Sequence, residues 1–259
     1  MLDSTWMGWS NITNWRQNSG SDDTLRTLFH SWWFDPLSAT VSFASAMLFF
    51  WWFEHQQKVR QGTIPPDVHP MKVLVSYLPG DHMKATVAYW TGIMIWRVFV
   101  SPLNALDGFP EDLLSMTYLL SEVAAGLVAY DLVFFCLHWG MHHVWVAPHK
   151  VHHEVHNVEA HDVLRHSLVD GTLQVLVNIL VQRTTPWGMT KTRLARLLHN
   201  ILVTWMLTES HAACPTPRIF RRFCSGVRDH REHHTDGISR YQPFFGYLDR
   251  VRGQKHSSG

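Results

Sequence analysis

At 259 residues the chain permits one domain, and its formal net charge of +1, from 22 basic and 21 acidic side chains, gives no electrostatic case for nucleic acid as a partner. Its three cysteines, Cys136, Cys214 and Cys224, form neither a framework nor a CxxC pair, which argues against structural disulfides. The first residues lack a basic start followed by an apolar core, so no signal peptide is expected.

Residues 1–35 read as a lumenal or interfacial segment. It carries a glycosylation sequon at Asn11-Ile12-Thr13, and Trp6, Trp9 and Trp15 either rest at a membrane interface or pack on the helices that follow. Residues 36–137 read as transmembrane. Pro36 to Phe53 is uncharged, close to the length of a bilayer span, and ends in aromatics placed for an interface belt. Ala85 to Val100 is a second span interrupted by Arg97, whose long side chain can snorkel. Leu113 to Cys136 is a third, with Glu122 and Asp131 too costly to face lipid and therefore expected to point into protein or a polar cavity. Within 138–259, Asp170 to Gln182 and Leu194 to Leu207 are short for spans and suit a re-entrant or interfacial hairpin over about 170–207, turning at RTTPWGMTKTR.

Charge supplies the orientation. Lys58, Arg60, Lys72 and Lys84 follow the first helix, whereas the loop SPLNALDGFPED after the second has no Lys or Arg, which places the first loop and residue 138 in the cytosol. Arg183, Lys191 and Arg193 would be lumenal if the hairpin spanned fully, so a shallow hairpin is expected. The fold class is thus an all-α integral membrane protein with three to four transmembrane helices, a hairpin and a cytosolic histidine-rich helical cap.

Nineteen histidines are present, and nine fall into three clusters: His138, His142 and His143; His149, His152 and His153; His230, His233 and His234. Residues three and four apart share a helical face, so each HxxHH triplet is expected to present its imidazoles together, as is His138 with His142. Eight such imidazoles suggest two metal ions, and an all-nitrogen donor set suits iron, zinc, copper or nickel rather than magnesium or calcium. Carboxylates that could orient these ligands are Asp131, seven residues before His138, then Glu154, Glu209, Asp229 and Asp249; an ordinary cap or ion pair is the alternative for each.

The order His-x3-His, His-x2-His-His, His-x2-His-His resembles the fatty acid hydroxylase superfamily, and most closely its branch of methyl-sterol oxidases, sterol desaturases and cholesterol side-chain hydroxylases. The resemblance rests on DLVFFCLHWGMHH (131–143), HKVHHE (149–154), ESH (209–211), DHREHH (229–234) and YLDRVRG (247–253). It implies an endoplasmic-reticulum membrane enzyme whose cytosolic cap holds two irons and uses dioxygen and two external electrons to attack an unactivated C–H bond. The ligands it implies are His138, His142, His149, His152, His153, His166, His211, His230, His233 and His234. The chain departs from the family at Ser167, where a Pro is frequent, at Ala212-Ala213 in place of Ser-Gly, and in TDGISRYQPFFG after the third cluster.

The substrate expected is a lipophilic molecule, a sterol, fatty acyl chain or terpenoid, entering a cavity between helices and cap. Trp51, Trp52, Trp90 and Trp96 are candidates to line it or simply to pack. No haem or flavin motif is evident, so electrons are expected from a b-type cytochrome or an NAD(P)H-dependent reductase. Arg221, Arg222 and Arg228 form either a docking rim for such a donor or a solvated face. Two other readings are a zinc-dependent isomerase or hydrolase and a non-catalytic membrane protein fastened by structural zinc.

Overall fold

A computed structural model describes residues 23–65, 67, 81–95, 108–183, 185, 188, 190–213 and 226–253. The sequon, Trp6, Trp9, Trp15, Lys72, Trp96, Arg97, Cys214, Arg221, Arg222 and Cys224 lie outside them. All regular elements among the described residues are helical: α1 (Asp23–His30), α2 (Phe34–Arg60), α3 (Asp81–Ile95), α4 (Leu113–His143), α5 (Val146–His153), a 3-10 turn (Ala160–Leu164), α6 (Leu168–Arg183), α7 (Arg193–His211), α8 (Gly226–Asp236) and α9 (Tyr247–Val251).

Two helices are long and apolar enough to cross a membrane, α2 with 27 residues and α4 with 31. At 1.5 Å per residue they reach about 40 and 46 Å, more than a hydrocarbon core needs. Their outer faces leave Val41, Phe49, Trp52, Leu120, Val128 and Leu132 exposed, as lipid contact demands and water does not favour. α3 has the shorter apolar stretch Thr86–Ile95. The two buried carboxylates of α4 turn inward, Glu122 at 1 % and Asp131 at 0 % exposure.

α4 begins at a reciprocal cap: the Ser115 amide donates to Asp112 Oδ1 (2.7 Å) and the Asp112 amide to Ser115 Oγ (3.0 Å). It runs seven residues beyond Cys136 because its last turns carry the buried His138 and the half-buried His142 against other histidines rather than into solvent. α6 and α7 likewise outrun the apolar segments from which they were expected. Ser167 caps α6, its Oγ accepting from the Asp170 amide at 3.1 Å. Thr192 caps α7 and donates its hydroxyl to Glu122 Oε2 at 2.8 Å, tying that helix start to α4.

The helices pack as α2 on α7, α3 on α6, and α4 on both α6 and α7. Tyr130, Phe134, Val177, Val181, Val203 and Phe244 form the main core. At the end of α2, buried Glu54 accepts from the amides of Ala160 (2.9 Å) and Ala213, and Trp51 packs on Ala160 and Ala212. These contacts fix the segments on either side of the histidine clusters.

α3 approaches α6 closely only because residue 92 is glycine: a Cβ there would stand 2.5 Å from Val175 Cγ1. Gly92→Ala is expected to cost about 1–3 kcal/mol through overpacking and to lower the thermal midpoint in detergent. Gly140→Ala, where a Cβ meets nothing within 4 Å, is expected to leave it unchanged or raise it.

Candidate metal centre

Four stretches of chain converge on the site: the last turns of α4, all of α5, the end of α7, and α8. They bring nine imidazoles into two groups. His138, His142, His149, His153 and His233 form one, and His152, His211, His230 and His234 the other, with the candidate ligating atoms of each group within 4.8 Å of one another.

The HxxHH triplets do not present their imidazoles together as the spacing suggested. Successive helical residues are about 100° apart, so adjacent histidines diverge while those four apart stay aligned. His149 and His153 accordingly serve the first group and His152 the second; His230 and His234 serve the second and His233 the first. Each HH pair therefore straddles both groups and couples their positions.

Backbone carbonyls set the tautomers. A carbonyl only accepts, so a ring nitrogen beside one carries the proton. His138 Nδ1 donates to Tyr241 O (2.8 Å), His233 Nδ1 to Ser239 O (2.5 Å), His234 Nδ1 to Val155 O (2.9 Å), His211 Nδ1 to Leu207 O (2.8 Å) and His152 Nδ1 to Arg165 O (3.3 Å). His149 Nδ1 donates to the Asp170 carboxylate at 2.8 Å. Each Nε2 is left with its lone pair directed inward.

Those lone pairs are the test of fit for a metal. In the first group all five Nε2 atoms, of His138, His142, His149, His153 and His233, are buried without a hydrogen-bond partner. In the second the Nε2 atoms face each other: His211 to His230 at 2.9 Å, His234 to His152 and to His230 at 3.1 Å, His211 to His152 at 3.4 Å. Nitrogens about 2.1 Å from a shared cation stand about 3.0–3.4 Å apart, so the donor set fits an ion in each group.

Burial, reinforced by neighbouring imidazoles, disfavours the charged form of the rings named next. His152, His230 and His233 are held well below the usual imidazole range by burial first, then by His166, His211 and His138 respectively. Burial and then His149 hold His153 at about 2; burial and then His211 hold His234 at about 3. Neutral imidazole is the form that binds metal.

His166 joins neither group. It stacks on His152 at 4.5 Å, its Nε2 donates to Val163 O at 2.8 Å and its Nδ1 faces Asp170 at 3.1 Å. His143 bonds Trp139 O (2.9 Å) and His156 lies by His234 O (3.3 Å), while His161 lies between Glu159 and Asp162. None of these is in either group.

The carboxylate on a clustered imidazole is Asp170, absent from the sequence-based candidates. Fully buried, it serves both His149 and His166 and accepts from Gln174 Nε2 at 2.9 Å. Its signal was H-S-L-V-D, a carboxylate four residues after a histidine at a helix start. Asp131 acts one step removed rather than on His138: it accepts from Gln242 Nε2 and the Phe244 amide (2.8 Å), and Asp249 accepts from the amides of Tyr241 (3.1 Å) and Gln242 (2.9 Å). Together they hold the loop whose Tyr241 carbonyl orients His138. Glu154 pairs at the surface with Arg165 (3.4 Å), the buried Asp229 pairs with Arg240 (3.2 Å), and Glu209 is half-buried near the end of α7. Arg228 pairs with Glu232 at 3.2 Å.

Both groups open on a cavity of about 200 Å³ whose walls include Phe43, Met47, Phe134, Val175, Val203 and Leu207. Trp90 lines it; Trp51 is buried in a separate cluster and Trp52 is 48 % exposed.

The family model for fatty acid hydroxylase matches residues 123–254, which include every histidine of both groups. A cholesterol 25-hydroxylase-like protein of Danio rerio is 23% identical over 194 residues, 67% of this chain and 76% of the relative. Lathosterol oxidase of Rattus norvegicus is 27% identical over 179 residues, 65% of this chain and 58% of the relative. A cholesterol 25-hydroxylase-like protein of Caenorhabditis briggsae is 24% identical over 139 residues, 52% of this chain and 46% of the relative. No solved structure matches significantly.

Metal analysis separates the two groups: His142→Ala and His230→Ala are each expected to remove one bound ion and retain the other, and the double variant to remove both. Asp170→Asn is expected to weaken metal binding about 10–100-fold, as the loss of such an orienting carboxylate does elsewhere, measured by competition with a chelator.

Proposed function

The chain belongs to the fatty acid hydroxylase family, and on that premise we propose that it is a membrane-bound di-iron oxygenase that hydroxylates or desaturates an unactivated C–H position of a lipophilic substrate. The observation that carries the reading is the pair of inward-facing imidazole groups opening on an apolar cavity. The names of the relatives, a cholesterol 25-hydroxylase-like protein and a lathosterol oxidase, favour a sterol or related lipid.

His138, His142, His149, His153 and His233 would hold one iron and His152, His211, His230 and His234 the other, with His166 supporting His152 by stacking and sharing Asp170. Bound iron would supply the activation of dioxygen, with two external electrons, that removing hydrogen from such a C–H bond requires. The chain's own part is positional. Asp170 and the Tyr241 carbonyl keep His149 and His138 in the tautomer and orientation that expose Nε2. Phe134, Val203 and Leu207 exclude water beside the imidazoles and leave room only for an apolar segment of substrate.

In this reading α2 and α4 cross the endoplasmic-reticulum membrane, α6 and α7 form the shallow hairpin, and α5, α8 and α9 form the cytosolic cap. The lipid enters laterally between the helices, and a b-type cytochrome or NAD(P)H-dependent reductase delivers electrons at the cap. The exposed apolar faces of α2 and α4 support the membrane assignment.

Iron-loaded protein in lipid nanodiscs is expected to consume oxygen in the presence of a chemical reductant and lipid extract, and to yield an oxidised lipid by mass spectrometry. His152→Ala is expected to lose all product. Turnover under strict anaerobiosis, or by zinc-loaded protein, would instead favour the isomerase or hydrolase reading.

A further inference from the structure

The cavity has a second polar region away from the imidazoles. Two turns along α6 from Asp170, Asn178 lines its wall, buried to 9 % exposure. The Asn178 amide donates to Asn200 Oδ1 at 2.8 Å, and its carbonyl oxygen accepts from Gln182 Nε2 (2.8 Å) and from His199 Nε2 (3.2 Å); Gln182 also reaches Asn200 Oδ1 at 3.1 Å. The Tyr89 hydroxyl, buried beside Asn200, has no partner of normal hydrogen-bond geometry. Tyr89, Val175 and Asn178 are common to the main cavity and to a smaller one lined by Gln182, Asn200, Arg196 and Asp35, so the two meet at this cluster.

Helical rise gives its distance from the metal groups. Asn178 is eight residues beyond Asp170, which bonds His149, and Asn200 is eleven residues before His211; at 1.5 Å per residue these are about 12 and 16 Å. The cluster offers neutral donors and acceptors. Arg196 and Asp35 in the smaller cavity face each other at 3.8 Å and offset one another's charge. The Tyr89 hydroxyl lies beside Asn200 without a well-formed hydrogen bond, and a hydroxyl brought by a ligand would complete its bonding.

We propose that Tyr89 and Asn178, backed by Gln182 and Asn200, form a subsite for the uncharged hydroxyl head of an elongated amphipathic lipid, so that the carbon oxidised lies at the end remote from that hydroxyl. This rests on the oxygenase reading for the reaction, though not for the binding. A hydroxyl held about 12–16 Å from the imidazoles along the helices places carbons within a few bonds of it out of reach of the metal groups. The lipid is an alcohol with an extended apolar body, and it is attacked at its far end.

Binding read without turnover tests the subsite independently of the oxygenase reading. The metal-loaded full chain in phosphatidylcholine nanodiscs, kept anaerobic, is titrated with two matched pairs: cholesterol against 3-deoxycholesterol, and 1-octadecanol against octadecane. In at least one pair the alcohol is expected to bind about tenfold tighter. Tyr89→Phe and Asn178→Leu are expected to erase that preference while metal content and affinity for the deoxy partner remain as in the unaltered protein. Equal binding within both pairs, or a preference that survives both substitutions, overturns the subsite. If oxygen is then admitted with reductant, product oxidised within a few bonds of the hydroxyl overturns the assigned direction of binding, whereas absence of any oxidised product bears only on the oxygenase reading.

Discussion

Nine imidazoles gathered into two groups inside the protein are the constraint around which the rest of the chain is arranged. Leaving a buried polar atom without a partner costs about 1–3 kcal/mol, and the five unpartnered Nε2 atoms of the first group would together cost about 5–15 kcal/mol, as much as the roughly 5–15 kcal/mol by which a domain is stable at all. Cations remove the penalty, and their binding free energy then becomes folding free energy. The candidate ligands come from four separate stretches, the end of α4, α5, the end of α7 and α8. Bound ions would therefore staple elements that share little apolar contact otherwise. α8 in particular, with the sequence GVRDHREHHTD, buries histidines more than hydrophobes.

The same constraint explains what was legible in the sequence and what was not. Spacing alone exposed the ligand clusters, because helices of this composition repeat predictably. It did not reveal their partition, since that depends on α5 and α8 each standing between the two groups so that His152–His153 and His233–His234 point to opposite sides. Hydropathy found the bodies of α2, α4, α6 and α7 but ended α4 at Cys136, where the residues become polar although the backbone continues. Glu122 and Asp131 were correctly expected to avoid lipid. Asp131 was sought on His138 through helical periodicity, whereas its partners Gln242 and Phe244 lie more than a hundred residues away, a relation no local pattern encodes. For Asp170 the local pattern H-S-L-V-D points to His166, but its bond to His149, twenty-one residues earlier, has no local sign.

Two of the three hairpin charges are also internal, Arg183 at the end of α6 being exposed. Lys191 and Arg193, counted against a fully spanning hairpin by the positive-inside rule, are 1 % and 6 % exposed. Arg193 donates to the Phe29 carbonyl at 2.6 Å, and Lys191 reaches into a space kept open by Gly126, where a Cβ would stand 2.1 Å from its Nζ. A rule about loop charges in water or at a membrane surface has no purchase on side chains folded into the helices. The bias set by Lys58, Arg60 and Lys84 is unaffected, and of the hairpin's three charges only the exposed Arg183 still bears on its depth.

The position of polar groups along α6 and α7 ties the chemistry to the substrate's register. Asp170 and His211 stand at the metal end of these helices, Asn178 and Asn200 two to three turns away, and between them the wall is largely apolar. Hydroxylation and desaturation begin with the same loss of hydrogen from carbon and part according to where the resulting carbon is held afterward. Apolar walls alone let a lipid slide along its axis, because dispersion contacts are nearly indifferent to a shift of one methylene. A directional contact at the far end removes that freedom, since a hydrogen bond weakens steeply with misalignment. In the oxygenase reading, the polar cluster remote from the imidazoles would therefore govern the outcome as much as the imidazoles themselves.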